Sequence, residues 1–240
     1  AFTYRHKPVL KDVSFVVSPG ETVCILGANG VGKTTLLRIL ATLALPEAGM
    51  VLVDGKNAFA NPLEYRRRLG YLPESVGLYD DMTVKEYLTY RANLKGEPPK
   101  RIRRRVGEAA DACRLTGLLR AMIRDLSAGY RKRVALADAL LLRPRVLLLD
   151  DFLAGLDYGM RKAAGEILSD VAAFSSVIVL LCPRPVPLPP HPPPGGSPER
   201  RAQPRPQKRR RCSPSHEWCL PLQISHRREN GCSWVLLPGY

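Results

Sequence analysis

No apolar run in this sequence approaches the ~18 residues of a membrane-spanning helix, so the chain itself is not expected to cross a bilayer. No signal peptide opens it, and because it begins at Ala1 rather than Met, a few N-terminal residues are expected to precede it. Its six cysteines are irregularly spaced with no CxxC pair, which speaks against both a zinc site and a disulfide framework; reduced, cytosolic thiols are expected. A uniform charge is also missing. The net charge of +15 divides into +8 up to Leu181 and +7 over the last 59 residues, so the basic excess describes neither part well. Nucleic acid is therefore not an expected partner of the larger part.

What is present is a chain of 240 residues, 45% hydrophobic and 25% charged, long enough for one large domain or two modest ones. Up to Leu181, short apolar runs alternate with helical patterns: "ETVCILG" then "KTTLLRILATLAL", "RVLLLD" then "YGMRKAAGEILSDVAAF", and lastly "SSVIVLL". Such alternation predicts βαβ units around a mainly parallel sheet with flanking helices. Residues 80–125 read as a helical insertion without a strand, and its basic run "KRIRRRVGE" as a solvated helix face. Residues 182–240 differ in character: they hold 14 of the 22 prolines, which fix φ and remove backbone donors, so a disordered or polyproline-like tail is expected. The closing apolar stretch "CSWVLLPGY" is expected to be too isolated to form a core.

"GANGVGKTT" (27–35) fits G-x-x-x-x-G-K-[ST], set between the strand "TVCIL" and an apolar-periodic helix, which is the context that motif requires. Its glycines let successive N–H groups turn toward phosphate oxygens at the positive end of a helix. Gly27, Asn29, Gly30, Gly32, Lys33, Thr34 and Thr35 are thus candidates for binding ATP, Lys33 as a charge on the β- and γ-phosphates and the Thr34 hydroxyl for Mg²⁺. Such a loop needs a carboxylate at the end of a neighbouring apolar strand to hold the metal. "RVLLLD" supplies Asp150, and a divalent cation there would offset its repulsion with the adjacent Asp151.

From about Phe2 to Leu181 these features, with further segments in order, resemble the nucleotide-binding domain of ABC transporters. "LSAGYRKRVALADALL", beginning at Leu126, looks like the family's signature segment, with Ser127 and Gly129 matching and Ala128 and Tyr130 departing from the commonest form. "AGLD" (154–157) looks like the D-loop, "GYLPE" (70–74) sits where the Q-loop lies with Glu74 in place of glutamine, and Tyr4 is similar to the aromatic that stacks on adenine. Read locally, Ser127 is also simply a favoured helix N-cap. The resemblance implies a P-loop NTPase core with an N-terminal antiparallel β part. It assigns Ser127, Gly129 and Asp157 to nucleotide contact, Glu74 to the metal and catalytic centre, and Asp151 to the position that orients the attacking water. It further implies head-to-tail dimerisation, as homodimer or heterodimer, in which each signature helix meets nucleotide on the other chain. ATP hydrolysis would drive a separate membrane-spanning subunit, with this chain cytoplasmic and peripheral on the inner face of the membrane. The "GYLPE" and "GYRKR" forms lean toward exporter-like systems.

The pattern is broken in places. Asp151 stands where the family has glutamate, a methylene longer, so reduced hydrolysis is expected; Phe152 replaces a common proline. After "SSVIVLL" the family carries a histidine that contacts the γ-phosphate; here Cys182, Pro183 and Arg184 follow, and His191 within "PPHPPP" is a poor substitute. The last strands and helices of the fold are also not evident. A frameshift, a mis-set gene model or a retained intron near residue 182 would produce such a change; the rival reading is a native tail whose "QKRRR" binds an anionic surface. Two further functions compete: a soluble ABC-type ATPase acting on nucleic acid or ribosomes, disfavoured by the single P-loop, and a truncated product that binds ATP without turnover.

Overall fold

The computed structural model describes residues 2–4, 7–10, 13–17, 21–172, 177–182, 227–229 and 232–236. Strands β1 (Phe2–Tyr4) and β2 (Lys7–Leu10) form an antiparallel pair, then β3 (Glu21–Leu26) runs into a loop and helix α1 (Lys33–Leu40). A small antiparallel pair, β4 (Leu52–Val53) and β5 (Lys56–Asn57), precedes the short helix α2 (Pro62–Arg66) and strand β6 (Leu69–Leu72). Helices α3 (Val84–Leu94), α4 (Pro99–Ala112) and α5 (Ala128–Leu140) follow, then β7 (Val146–Leu149), α6 (Tyr158–Ala172) and β8 (Val177–Cys182). Two late strands complete the description, β9 (Arg227–Glu229) and β10 (Cys232–Leu236).

The central sheet has the order β6-β7-β8-β3-β10-β9, parallel throughout except for the antiparallel β9. Strand β7 reads as an unbroken apolar run, VLLL, because both its faces are covered. On β3 and β7 the side chains alternate between two cores. Val23, Ile25, Val146 and Leu148 pack with Leu36, Leu37 and Ile39 of α1, whereas Cys24, Leu26, Leu147 and Leu149 face α3 to α6. Helix α6 buries Ala164, Ile167, Leu168 and Val171, the i, i+3, i+4, i+7 stripe of a helix laid on a sheet.

Between Asp80 and Asp125 the described backbone is helical, with short 3₁₀ turns at Thr116–Leu118 and Ile123–Asp125 and one isolated bridge from Thr83 to Met122. Thr83 starts α3 with a capping box: its hydroxyl accepts from Glu86 N at 3.3 Å while the Glu86 carboxylate accepts from Thr83 N at 2.8 Å. The basic run lies on α4, where Ile102 and Val106 turn inward and Arg103 and Arg104 outward. Arg105 departs from a solvated face; its side chain is mostly buried and bridges Glu97 at 3.1 Å and Glu108 at 3.5 Å. Buried Asp138 of α5 holds Arg91 of α3 and Lys95 at its C-cap through contacts of 3.0 and 2.8 Å, which fixes this helical layer to α5.

The end of the chain departs from expectation. Cys232–Leu236 pairs in parallel with β3, Cys232 opposite Thr22 and Leu236 opposite Leu26, with β9 hydrogen-bonded outside it. Residues 227–229 and 232–236 thus add two strands to the sheet, where the sequence makes no final strands evident. Without β10, the edge of β3 would present a row of unpaired N–H and C=O groups, and five consecutive residues of extended backbone satisfy it. The Pro-rich stretch, His191 and "QKRRR" lie outside the described residues. Among the described residues no helix is long and apolar enough to cross a membrane, and Cys24 and Cys113 are buried and form no disulfide.

Candidate functional site

Parallel register brings the carboxyl ends of the strands to one edge of the sheet. Leu72 lies opposite Leu149, Leu149 opposite Leu180, and Leu26 opposite Cys182. The loop after β3, the acids after β7 and the segment after β6 therefore emerge side by side, the place where open α/β sheets bind ligands. A cavity of about 680 Å³ opens there, lined by Asn29, Gly30, Gly32, Lys33, Thr34, Thr35, Glu74, Asp150 and Asp151, together with Val9, Arg38, Leu43 and Ala44.

The loop is built by backbone conformations that side chains resist. Gly30 and Gly32 have φ of +81° and +100°. A Cβ on Gly32 would also meet Val9 Cγ1 at 2.9 Å and Leu10 Cδ2 at 3.0 Å, so the loop packs tightly against β2. Gly32 opens α1 without a side-chain cap, which leaves the first N–H groups of the helix available to an anion. Lys33 Nζ donates to the carbonyls of Gly27 and Ala28 at 2.7 and 2.8 Å, so its ammonium is held at the loop's rim.

Thr34 Oγ1 donates to Asp150 Oδ1 at 3.4 Å, joining segments 116 residues apart. Asp150 is buried at the end of β7 and shares the cavity with Glu74 and Asp151. Burial, more than these neighbouring acids, holds its carboxyl above the usual carboxylate range, while the Thr34 hydrogen bond opposes the shift. Asp151 is raised for the same reasons, burial first and then Glu74, partly offset by Lys132 and Lys33. A hydroxyl and a buried carboxylate in contact, in a pocket crowded with acids, make a hard-oxygen donor set that fits Mg²⁺. Among the described residues no group of three or more His, Cys, Asp and Glu side chains is arranged to hold a metal ion. Asp151 adopts φ of +48°, a left-handed turn that follows the strand end immediately.

Ser127, Gly129 and Asp157 are not among the residues that line this cavity. Ser127 caps α5, its hydroxyl accepting from Tyr130 N at 3.5 Å, as its local reading predicts. Gly129 is buried against α6, where a Cβ would lie 1.9 Å from Met160 Sδ. Asp157 accepts from Met160 N at 2.7 Å in the first turn of α6. Tyr4 belongs to β1, and its side chain is outside the described residues, as are Pro183 and Arg184 beyond β8.

Sequence reasoning missed Arg38, Tyr71 and Lys132. Arg38 reaches the cavity from α1 and is hydrogen-bonded to Tyr71 beside Asp150; its position four residues after Thr34, about one helical turn on, was the available signal. Lys132 of α5 approaches Asp151 and Glu74, and burial lowers its pKa, the two acids opposing that shift.

Residues 10–154 match the family described as ABC transporter. The chain is similar to the sulfate/thiosulfate import ATP-binding protein CysA of Thermosynechococcus vestitus, 38% identical over 64% of this chain and 45% of that protein. It is likewise similar to the ABC transporter ATP-binding protein NatA of Bacillus subtilis, 38% identical over 71% of this chain and 70% of that one. Among solved structures it resembles cbiO1 of Clostridium perfringens, part of the cbiONQ transporter complex, with a TM-score of 0.69, 28% identity, and coverage of 75% and 74% of the two chains. The chain spans about half the length of the first curated relatives it matches, 45% and 58%.

Proposed function

Because this chain belongs to the family of ABC transporter ATP-binding subunits, we propose that it binds MgATP in the cavity beside α1, hydrolyses it, and couples that cycle to a separate membrane-spanning subunit. One observation carries the reading: the Thr34 hydroxyl and the Asp150 carboxylate meet at 3.4 Å within a cavity of about 680 Å³ that Lys33 also lines. That volume lies within the roughly 300–1,000 Å³ range of small-molecule sites. In this reading the amides around residues 27–35 and the α1 N-terminus bind the phosphates, and Lys33 leaves its carbonyl partners to meet them. Thr34 and Asp150 would hold a magnesium ion, with Glu74 beside them; when bound, such an ion would supply positive charge beside the phosphates. Asp151 orients the attacking water.

Ser127, Gly129 and Asp157 do not line this chain's own cavity. We assign them to a second ATP-binding domain, whose nucleotide they would meet in a homodimer or heterodimer. A peripheral position on the inner face of the membrane follows from the partner. Purified protein should turn over ATP in the presence of Mg²⁺, and Lys33→Ala should reduce the rate by at least about 10²-fold, the scale of losing a charged contact to the transferred group. Equal rates for wild type and Lys33→Ala would overturn the assignment.

A further inference from the structure

Helix α5 is capped by Ser127, and five residues later it places a lysine over the turn that carries Asp151. Lys132 Nζ donates to the carbonyl of Phe152 at 3.1 Å and also to that of Ala154, while Ala154 N donates to Asp151 O at 3.0 Å. The turn is thereby tied to α5 on one side and closed on itself on the other. Such a restraint matters because Asp151 has φ of +48°, in the sparsely populated left-handed region, where a residue persists when its surroundings hold it there. Phe152, 2% exposed, anchors the turn below, but an apolar side chain sets no direction for the backbone carbonyls.

A second cavity, of about 260 Å³, lies on this side of the turn; Lys132, Glu74, Asp150, Asp151 and Phe152 line it. It shares Glu74, Asp150 and Asp151 with the larger cavity; of the two lysines, Lys132 lines only this cavity and Lys33 only the larger one. We propose that Lys132 is a positioning residue for ATP hydrolysis, its ammonium bracing the 151–154 turn against α5 so that the Asp151 carboxylate points at the attacking water. The inference rests on the hydrolytic reading of the site given above. It also supplies a physical link within one chain: a displacement of α5, whose N-cap is Ser127 and whose first turn carries Gly129, moves the brace and hence the acid.

The test compares Lys132→Met, which keeps the aliphatic stem and loses the donors, with Lys132→Gln and Lys132→Arg, which keep donors. For Lys132→Met the expected result is a kcat lower by about 10–100-fold, on the scale of a ~1 Å misplacement. KM for MgATP should change by less than about 3-fold and the MgATP-induced rise in Tm should persist, because this group touches no nucleotide. Arg or Gln should restore part of kcat. An unchanged kcat in Lys132→Met overturns the proposal, and so does a loss of kcat matched by loss of MgATP binding, which marks general damage. Failure of the hydrolytic reading looks different, because wild type is then as slow as Lys33→Ala. Amide hydrogen exchange over residues 151–156 decides in that case: faster exchange in Lys132→Met supports the brace, and unchanged exchange refutes it.

Discussion

Lengthening the acid that follows Asp150 separates side-chain reach from backbone conformation. Asp151→Glu extends the carboxylate by one C–C bond, about 1.5 Å. Since a misplacement of about 1 Å can cost ~10²-fold in rate, the longer acid should raise kcat by roughly 10–100-fold if reach limits the reaction. The backbone opposes the change. Asp151 sits at φ +48°, where aspartate is tolerated better than longer side chains. The substitution should therefore lower stability by about 1 kcal/mol, or about 2–4 °C in Tm. Steady-state phosphate release at saturating MgATP gives the first quantity and a thermal melt without nucleotide the second. A kcat that stays level or falls, with the MgATP-induced stabilisation intact, would refute the claim that the short acid limits turnover.

Other expectations follow from the packing and charges. Gly70→Ala should lower stability by about 1–3 kcal/mol on thermal melting, because its Cβ would lie 2.6 Å from the Ala139 carbonyl oxygen and 2.8 Å from Leu147 Cδ1. Asp138→Ala leaves Arg91 and Lys95 without their shared carboxylate. As both cations keep some exposure, denaturant unfolding should show a loss of roughly 2–4 kcal/mol, near the lower part of the range for broken buried pairs. Asp150→Asn should raise the Tm of the nucleotide-free protein at pH 7. The raised native pKa means that the folded state holds this proton more tightly than the unfolded one, so stability falls as pH rises from the ordinary 3.8 through the native value. The advantage of the variant should thus vanish below about pH 4 and grow above it; a variant less stable than wild type at pH 7 would contradict this.

The parts of the site that lie on contiguous sequence were legible in it. "GANGVGKTT" and "RVLLLD" each encode a loop or strand end whose chemistry depends on local order, and the parallel register then brings Thr34 to Asp150. Less legible were contacts made by chain reversal. Val9 lines the larger cavity because β2 packs on the loop at Gly32, and Lys132 braces residues 152 and 154 because α5 crosses the end of β7. Neither follows from spacing. The same holds for β10, whose partner strand β3 lies near the other end of the chain: a short apolar segment after a Pro-rich stretch carries no mark of the open edge it completes.

The most direct test of the account is the thermal stabilisation of purified protein by ATP, with Mg²⁺ and with EDTA, in wild type, Lys33→Ala and Asp150→Asn. At about 100 times Kd, bound nucleotide should add about 2.7 kcal/mol to the wild type. Lys33→Ala should lose most of this, and Asp150→Asn should lose the increment that magnesium provides. A full MgATP shift in Lys33→Ala, or an undiminished magnesium increment in Asp150→Asn, would contradict the assignment of this cavity to MgATP.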